Sequence, residues 1–88
     1  MGTLTVEMQN IDKLKVVFSG TLDLNSDEDV LNAEYGITPR WDSITHMALI
    51  ASLEDAFEIM LPTDDVIGMS SFTQAKRILS KHGVPLEA

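Results

Sequence analysis

Apolar positions recur at steps of three and four along most of the chain, and no stretch alternates with the period of two that a half-buried strand requires. From about Thr5 to Gly20, Met8, Ile11, Leu14 and Phe18 form one stripe, widened by Val17. Glu7, Asn10, Asp12, Lys13 and Lys15 fill the other face. The pattern predicts a first helix that stops at Gly20, with Leu22 able to extend the stripe.

A long connection follows, from about Thr21 to Asp42, holding "DLNSDEDV", Gly36 and Pro39. Connections of this length carry function or irregular structure of their own. Leu22, Leu24, Val30, Leu31, Tyr35, Ile37 and Trp41 are available to pin it to the core.

The strongest periodicity begins at Asp42 or Ser43 and runs to about Ile59. Ile44, Met47, Ile50, Leu53 and Phe57 make one stripe, with Leu49 and Ala56 at its edge and Thr45, Ser52, Glu54, Asp55 and Glu58 elsewhere. Pro62 blocks continuation. "TDDVIGM" has room for only one or two turns. Ser71 and Gln74 form a capping-box pair that opens the last helix, whose Phe72, Ala75, Ile78 and Leu79 face inward. Lys76, Arg77, Lys81 and His82 suit its negative end, and Gly83 and Pro85 stop it. The expectation is an all-α bundle: three main helices, a short third helix and a long loop between helices 1 and 2.

At 88 residues the chain is expected to form one domain over 1–88, without internal repeats. It has no cysteine, hence no disulfide, thiolate metal site or cysteine nucleophile. Its two histidines, His46 and His82, are too few and too far apart for a zinc site. Fourteen acidic against six basic residues give a net charge of −8. Such a chain repels nucleic-acid backbones and anionic membranes and is drawn to basic protein surfaces. No apolar run approaches the roughly 20 residues of a membrane span, so no membrane insertion is expected. "MGTLTVEMQN" lacks the basic-then-apolar order of a signal peptide, and Val6 stands where the myristoylation pattern takes Ser or Thr. A soluble, cytoplasmic monomer is the expectation.

Ser43 stands at the start of the longest periodic run, where a helix exposes unpaired N–H groups and the positive end of its dipole. Such a serine has two possible roles. As an N-cap, its oxygen accepts a backbone hydrogen bond, although Asp42 beside it competes for that task. Alternatively, its hydroxyl carries a phosphodiester, which the free N–H groups and dipole favour.

The stretch "WDSITHMALIASLEDAFEI" resembles the acyl carrier protein family. Asp42-Ser43-Ile44 is similar to its Asp-Ser-Leu attachment motif, with Ile for Leu. Leu53-Glu54-Asp55 and Phe57 fall where the family carries a Leu-acid-acid segment and a Phe. "SSFTQAKRIL" resembles the opening of its last helix, so the likeness runs from about Thr5 to His82. The resemblance implies an acyl-carrier-like four-helix bundle without catalysis of its own. A phosphopantetheinyl transferase would move 4′-phosphopantetheine from coenzyme A onto Ser43. The arm would hold an acyl or aminoacyl group as a thioester and present it at high effective concentration to a loading ligase or synthase and to downstream enzymes with basic docking patches. Asp42 would support the motif, and Ile44, Met47, Ala51, Glu54 and Asp55 would face partners. At helical spacing Ile44 and Met47 equally suit a core, and Glu54 and Asp55 a solvated face. Ala48 and Trp41 depart from the housekeeping fatty-acid carriers, and Trp41-Asp42-Ser43 with His46 following resembles discrete carriers of specialised pathways. His46 is expected to be exposed beside the serine, with a modest role in recognising the arm.

Two rivals stand beside that reading. Asp23, Asn25, Asp27, Asp29 and Glu34 fall at positions 1, 3, 5, 7 and 12 of an EF-hand loop, but Glu28 occupies position 6, where the turn needs Gly. Weak, non-specific cation binding suits this Asp23–Glu34 run better. The other rival is an acidic helical interaction module that never carries an arm, with Ser43 as a cap. No catalytic residue is expected: Ser43 and His46 lack an oriented third member and an oxyanion site.

Overall fold

The first stripe folds into a helix longer than its pattern predicts: α1 spans Gly2–Leu22 and passes straight through Gly20. In this computed structural model, residues 2–86 are described, with side chains from residue 6 onward. Met1, Glu87 and Ala88, at the ends of the expected domain, lie outside the described residues. Leu14, Phe18 and Leu22 are buried at i, i+4 and i+8, so extending the stripe to Leu22 adds core contact that outweighs the glycine. Met8, expected inside, lies exposed near the helix start. The stop comes at Asp23, in the left-handed region at φ 57°, with the Leu24 N–H donating to the Ser19 carbonyl at 3.0 Å.

The connection after α1 is not a plain loop. A one-turn helix, α2, spans Asp27–Leu31. The Ser26 side chain accepts from the Asp29 N–H, and Asp27, Glu28 and Asp29 line the first turn, where the dipole favours anions. Val30 enters the core, whereas Leu31 and Ile37, expected to pin the segment, lie exposed. Leu22, Val30 and Trp41 are buried and Leu24 packs against the core, so these side chains pin the segment as expected, and backbone hydrogen bonds add to them. The Tyr35 N–H donates to the Ser70 carbonyl at 2.9 Å, and the Phe72 N–H to the Ala33 carbonyl at 3.2 Å. Gly36, at φ 80°, donates to the Trp41 carbonyl and closes the turn that delivers Trp41.

Three further helices follow: α3 (Ser43–Phe57), α4 (Thr63–Gly68) and α5 (Phe72–Lys81). All five regular elements among the described residues are therefore helices, three long and two short. At its end α3 repeats the closure of α1, with Glu58 at φ 54° and the Ile59 N–H donating to the Glu54 carbonyl. Ser71 caps α5 by accepting from the Gln74 N–H, and Gly83 ends it at φ 89°. Trp41, Phe18 and Phe72 join the loop, α1 and α5 at the centre. Their rings meet edge to face with centroids 5.4 and 5.1 Å apart, contacts worth about 0.5–1.5 kcal/mol each beyond burial. Among the described residues no helix is long and apolar enough to cross a membrane.

Candidate functional site

The competition at the start of α3 resolves in favour of Asp42. Its backbone is extended, and its carboxylate accepts from the Thr45 N–H at 2.8 Å. Its own carbonyl accepts the first helical bond, from His46. Hydrogen bonds from Thr45, backbone first and side chain second, hold the Asp42 carboxyl below its ordinary range. Ser43 is thus the first helical residue rather than the cap. It is exposed, and its hydroxyl is not needed to satisfy the helix end.

Along α3 the side chains sort onto two faces. His46, Leu49, Ile50, Leu53 and Phe57 point inward, at i, i+3, i+4, i+7 and i+11. Ile44, Met47, Ala48, Ala51 and Asp55 point outward with the same spacing. The core reading of Ile44 and Met47 is therefore overturned, since they are 82% and 58% exposed. The reason is His46, which takes the inward position they were expected to hold. His46 also corrects the expectation of an exposed histidine. The Trp41 indole N–H donates to its Nδ1 at 2.9 Å, and its Nε2 lies 2.7 Å from the Val66 carbonyl. Those partners fix the tautomer: Nδ1 accepts, Nε2–H donates. The ring stacks on Trp41 and meets Tyr35 edge on. A polar side chain with both nitrogens satisfied can lie inside at little cost, which leaves two apolar residues outside.

The predicted partner-facing set divides accordingly. Ile44, Met47, Ala51 and Asp55 share the exposed face. Glu54 does not: it is half-buried, and its carboxylate accepts from the Leu61 N–H at 2.8 Å, organising the turn after α3.

Beside Ser43 lies a cleft of about 440 Å³. Ser43, His46 and Met47 form one wall, and Val66, Ile67, Met69 and Ser70, along and after α4, form the other. Tyr35 stands between them. The lining is mainly apolar, with hydroxyls from Ser43, Tyr35 and Ser70. Sequence reasoning did not single out the α4 wall, because a six-residue helix carries too little periodicity to show which side chains meet a neighbour. Two polar contacts hold that wall. On one side the Val66 carbonyl meets His46; on the other the buried Asp65 takes hydrogen bonds from Lys81 and His82 at the end of α5. The bond from Lys81, then that from His82, holds the Asp65 carboxyl below its ordinary range. The local signal for Asp65 is a carboxylate sixteen residues before a lysine, which has no regular spacing to flag it.

The acidic run after α1 does not take the shape of a calcium loop. Asp27 and Asp29 lie in α2, Asp23 pairs with Arg40 at 3.4 Å, and Asp27 pairs with Lys15 at 3.5 Å. Among the described residues no three acidic or histidine side chains come close enough to hold a metal ion. No family model, curated protein or solved structure matches the chain.

Proposed function

We propose that the chain is a carrier protein of the acyl carrier type, armed with 4′-phosphopantetheine at Ser43 and serving partner enzymes rather than catalysing a reaction itself. The observation that carries this reading is the division of labour at the start of α3. Asp42 closes the helix end, which leaves an exposed hydroxyl on the adjacent residue with no structural task. A phosphodiester there lies beside the positive end of a fifteen-residue helix, an electrostatic setting that favours it. Support also comes from the all-helical architecture with its long first connection, consistent with an acyl-carrier-like bundle.

Arming by a transferase forms the bond from Ser43 Oγ to phosphorus and breaks the pyrophosphate bond of coenzyme A. Adenosine 3′,5′-bisphosphate leaves, and the hydroxyl proton passes to a base on the transferase. Once bound, the arm supplies a thiol that holds an acyl or aminoacyl group as a thioester, chemistry that a cysteine-free chain cannot provide. Ser43 anchors the arm, and Asp42 fixes the direction of the helix end that bears it. Ile44, Met47, Ala51 and Asp55 offer loading and downstream enzymes an apolar face with one acidic end; Glu54 is left out of that face. Methionine suits such a surface, because it repacks against different partners.

The test is direct. The purified protein is incubated with coenzyme A and a broad-specificity phosphopantetheinyl transferase, then weighed intact. One added arm that disappears in Ser43→Ala is the expected result. No mass gain with several transferases overturns the reading and leaves an acidic helical interaction module.

A further inference from the structure

A helix start frays more readily than its middle, and Ser43 is the first residue of α3. The corner that carries it is braced twice. The outer brace is the Asp42 carboxylate on the Thr45 N–H. The inner brace joins the residue two before Ser43 to the residue three after it. The Trp41 indole N–H donates to His46 Nδ1 at 2.9 Å, and the two rings stack with 26° between their planes. Both ends of that brace are anchored in the fold. Trp41 is buried edge-on to Phe18 of α1, and its backbone N–H donates to the Thr38 carbonyl at 3.0 Å. His46 reaches α4 through the Val66 carbonyl. Asp42 already satisfies the helix end, so the Trp41–His46 bond is not a cap. Nor does packing call for it, because exchanging both partners of a buried hydrogen bond for apolar groups of the same shape is nearly neutral. What a directional bond supplies, and an apolar contact does not, is a fixed angle for the corner between its ends.

We propose that His46, acting through Trp41, is a positioning residue for arming: the bond between them holds the Ser43 hydroxyl in the orientation that a transferase uses. The proposal rests on the carrier reading and goes further, since it gives the inward histidine a part in the rate of that reaction. Attack on phosphorus needs the hydroxyl in line with the leaving bisphosphate, and a misplacement of about 1 Å can cost on the order of 100-fold. Both ring nitrogens of His46 are engaged, so the ring does not take the hydroxyl proton, and its part is geometric. The carrier reading leaves docking to Ile44 and Met47 on the opposite face, which the bond does not touch.

The experiment measures steady-state arming of the full-length protein by a broad-specificity phosphopantetheinyl transferase, with the carrier as the varied substrate, below the melting temperature of every variant. In His46→Leu, kcat should fall by about ten-fold or more. KM should stay nearly unchanged, because a leucine keeps the inward position and Ile44 and Met47 remain outside. Trp41→Phe, which keeps a ring but removes the N–H, should fall similarly, and the double variant little further, as two ends of one bond do. His46→Gln again offers an acceptor and a donor and should regain most of the lost rate. Leu79→Ala, a core truncation in α5, should lower Tm and leave kcat unchanged. An unchanged kcat in both His46→Leu and Trp41→Phe, or an equal fall in Leu79→Ala, overturns the inference and leaves the carrier reading intact. So does a change confined to KM, which would make His46 part of the docking surface. A wild-type protein that gains no arm overturns both. Should His46→Leu fail to fold, Trp41→Phe against Leu79→Ala decides.

Discussion

Helices α3 and α5 open alike, each capped by the residue just before it, but they dispose of their apolar residues differently. In α5, Phe72, Ala75, Ile78 and Leu79 are all buried, and its exposed face is polar. In α3, Leu49, Ile50 and Leu53 are buried while Ile44 and Met47 face out. One helix commits its whole apolar surface to the core. The other carries more than the core can take, and the surplus surrounds Ser43. Under the carrier reading, Ile44 and Met47 on the exposed face beside Ser43 are the apolar surface offered to a partner. The pattern at α5 reports folding, and the first half of α3 is where the carrier reading places use.

Truncation separates the two roles most sharply. Leu79→Ala in α5 and Leu53→Ala in the inner half of α3 should each cost about 2–5 kcal/mol, a fall in Tm of about 10 °C or more for a domain of this size. Ile44→Ala should stay within about 0.5 kcal/mol and instead weaken binding of a partner enzyme. Thermal melts of the three variants check this. An Ile44 effect as large as that of Leu53 would erase the distinction between the halves of α3.

His46 is the residue that turns the outer half outward, and its removal is the next largest effect. In His46→Leu the buried Trp41 indole N–H and the Val66 carbonyl lose their partner together, a loss of about 1–3 kcal/mol. The hydrogen bond to Val66 also spans from α3 to α4, so the variant should loosen the cleft as well as lower the urea midpoint. Tryptophan fluorescence, which reports on Trp41 alone, checks the first consequence, and faster amide exchange through α4 the second.

How far the sequence discloses this arrangement depends on how local its causes are. The cap and inward face of α5 are legible because Ser71, Gln74 and four apolar residues lie within one regular period. The location of Ser43 at a helix start is legible for the same reason. The phase of α3 is not: a stripe through Ile44 and Met47 satisfies helical spacing as well as the real one through His46 and Leu49. Only the indole of Trp41 and a carbonyl twenty residues downstream, both brought in by tertiary folding, select between them. α2 falls between these cases. Its Ser26 cap and three acids are a readable start, but five residues are too few for periodicity to declare a helix.

Acid tests the second polar contact that holds α4. Asp65 and Asp42 titrate lower in the folded chain than their ordinary value of 3.8. As pH falls the unfolded chain takes up these protons first, so the stability the two groups contribute is present above that value and lost through the lower folded values. Thermal melts between about pH 5 and pH 3 should show Tm dropping toward acid. Asp65→Asn should flatten part of that slope, because an uncharged amide cannot take up the proton. An unchanged slope would mean that Lys81 and His82 do not favour the ionised carboxyl.

The finest contrast lies between neighbours. Glu54 and Asp55 are adjacent and equally acidic, but one serves the fold and the other faces solvent. Glu54→Ala deprives the Leu61 N–H of its acceptor and should cost about 0.5–1.5 kcal/mol. Asp55→Ala touches no such bond and should leave stability within about 0.5 kcal/mol. In binding to a partner enzyme the order reverses: Asp55→Ala should weaken association and steepen less with falling salt, because its charge is the one at the end of the exposed apolar face. Glu54→Ala should leave association nearly unchanged once folded protein concentrations are matched. Equal effects of the two on binding would place Glu54 back on the docking face, and the turn after α3 would then have to open when a partner arrives.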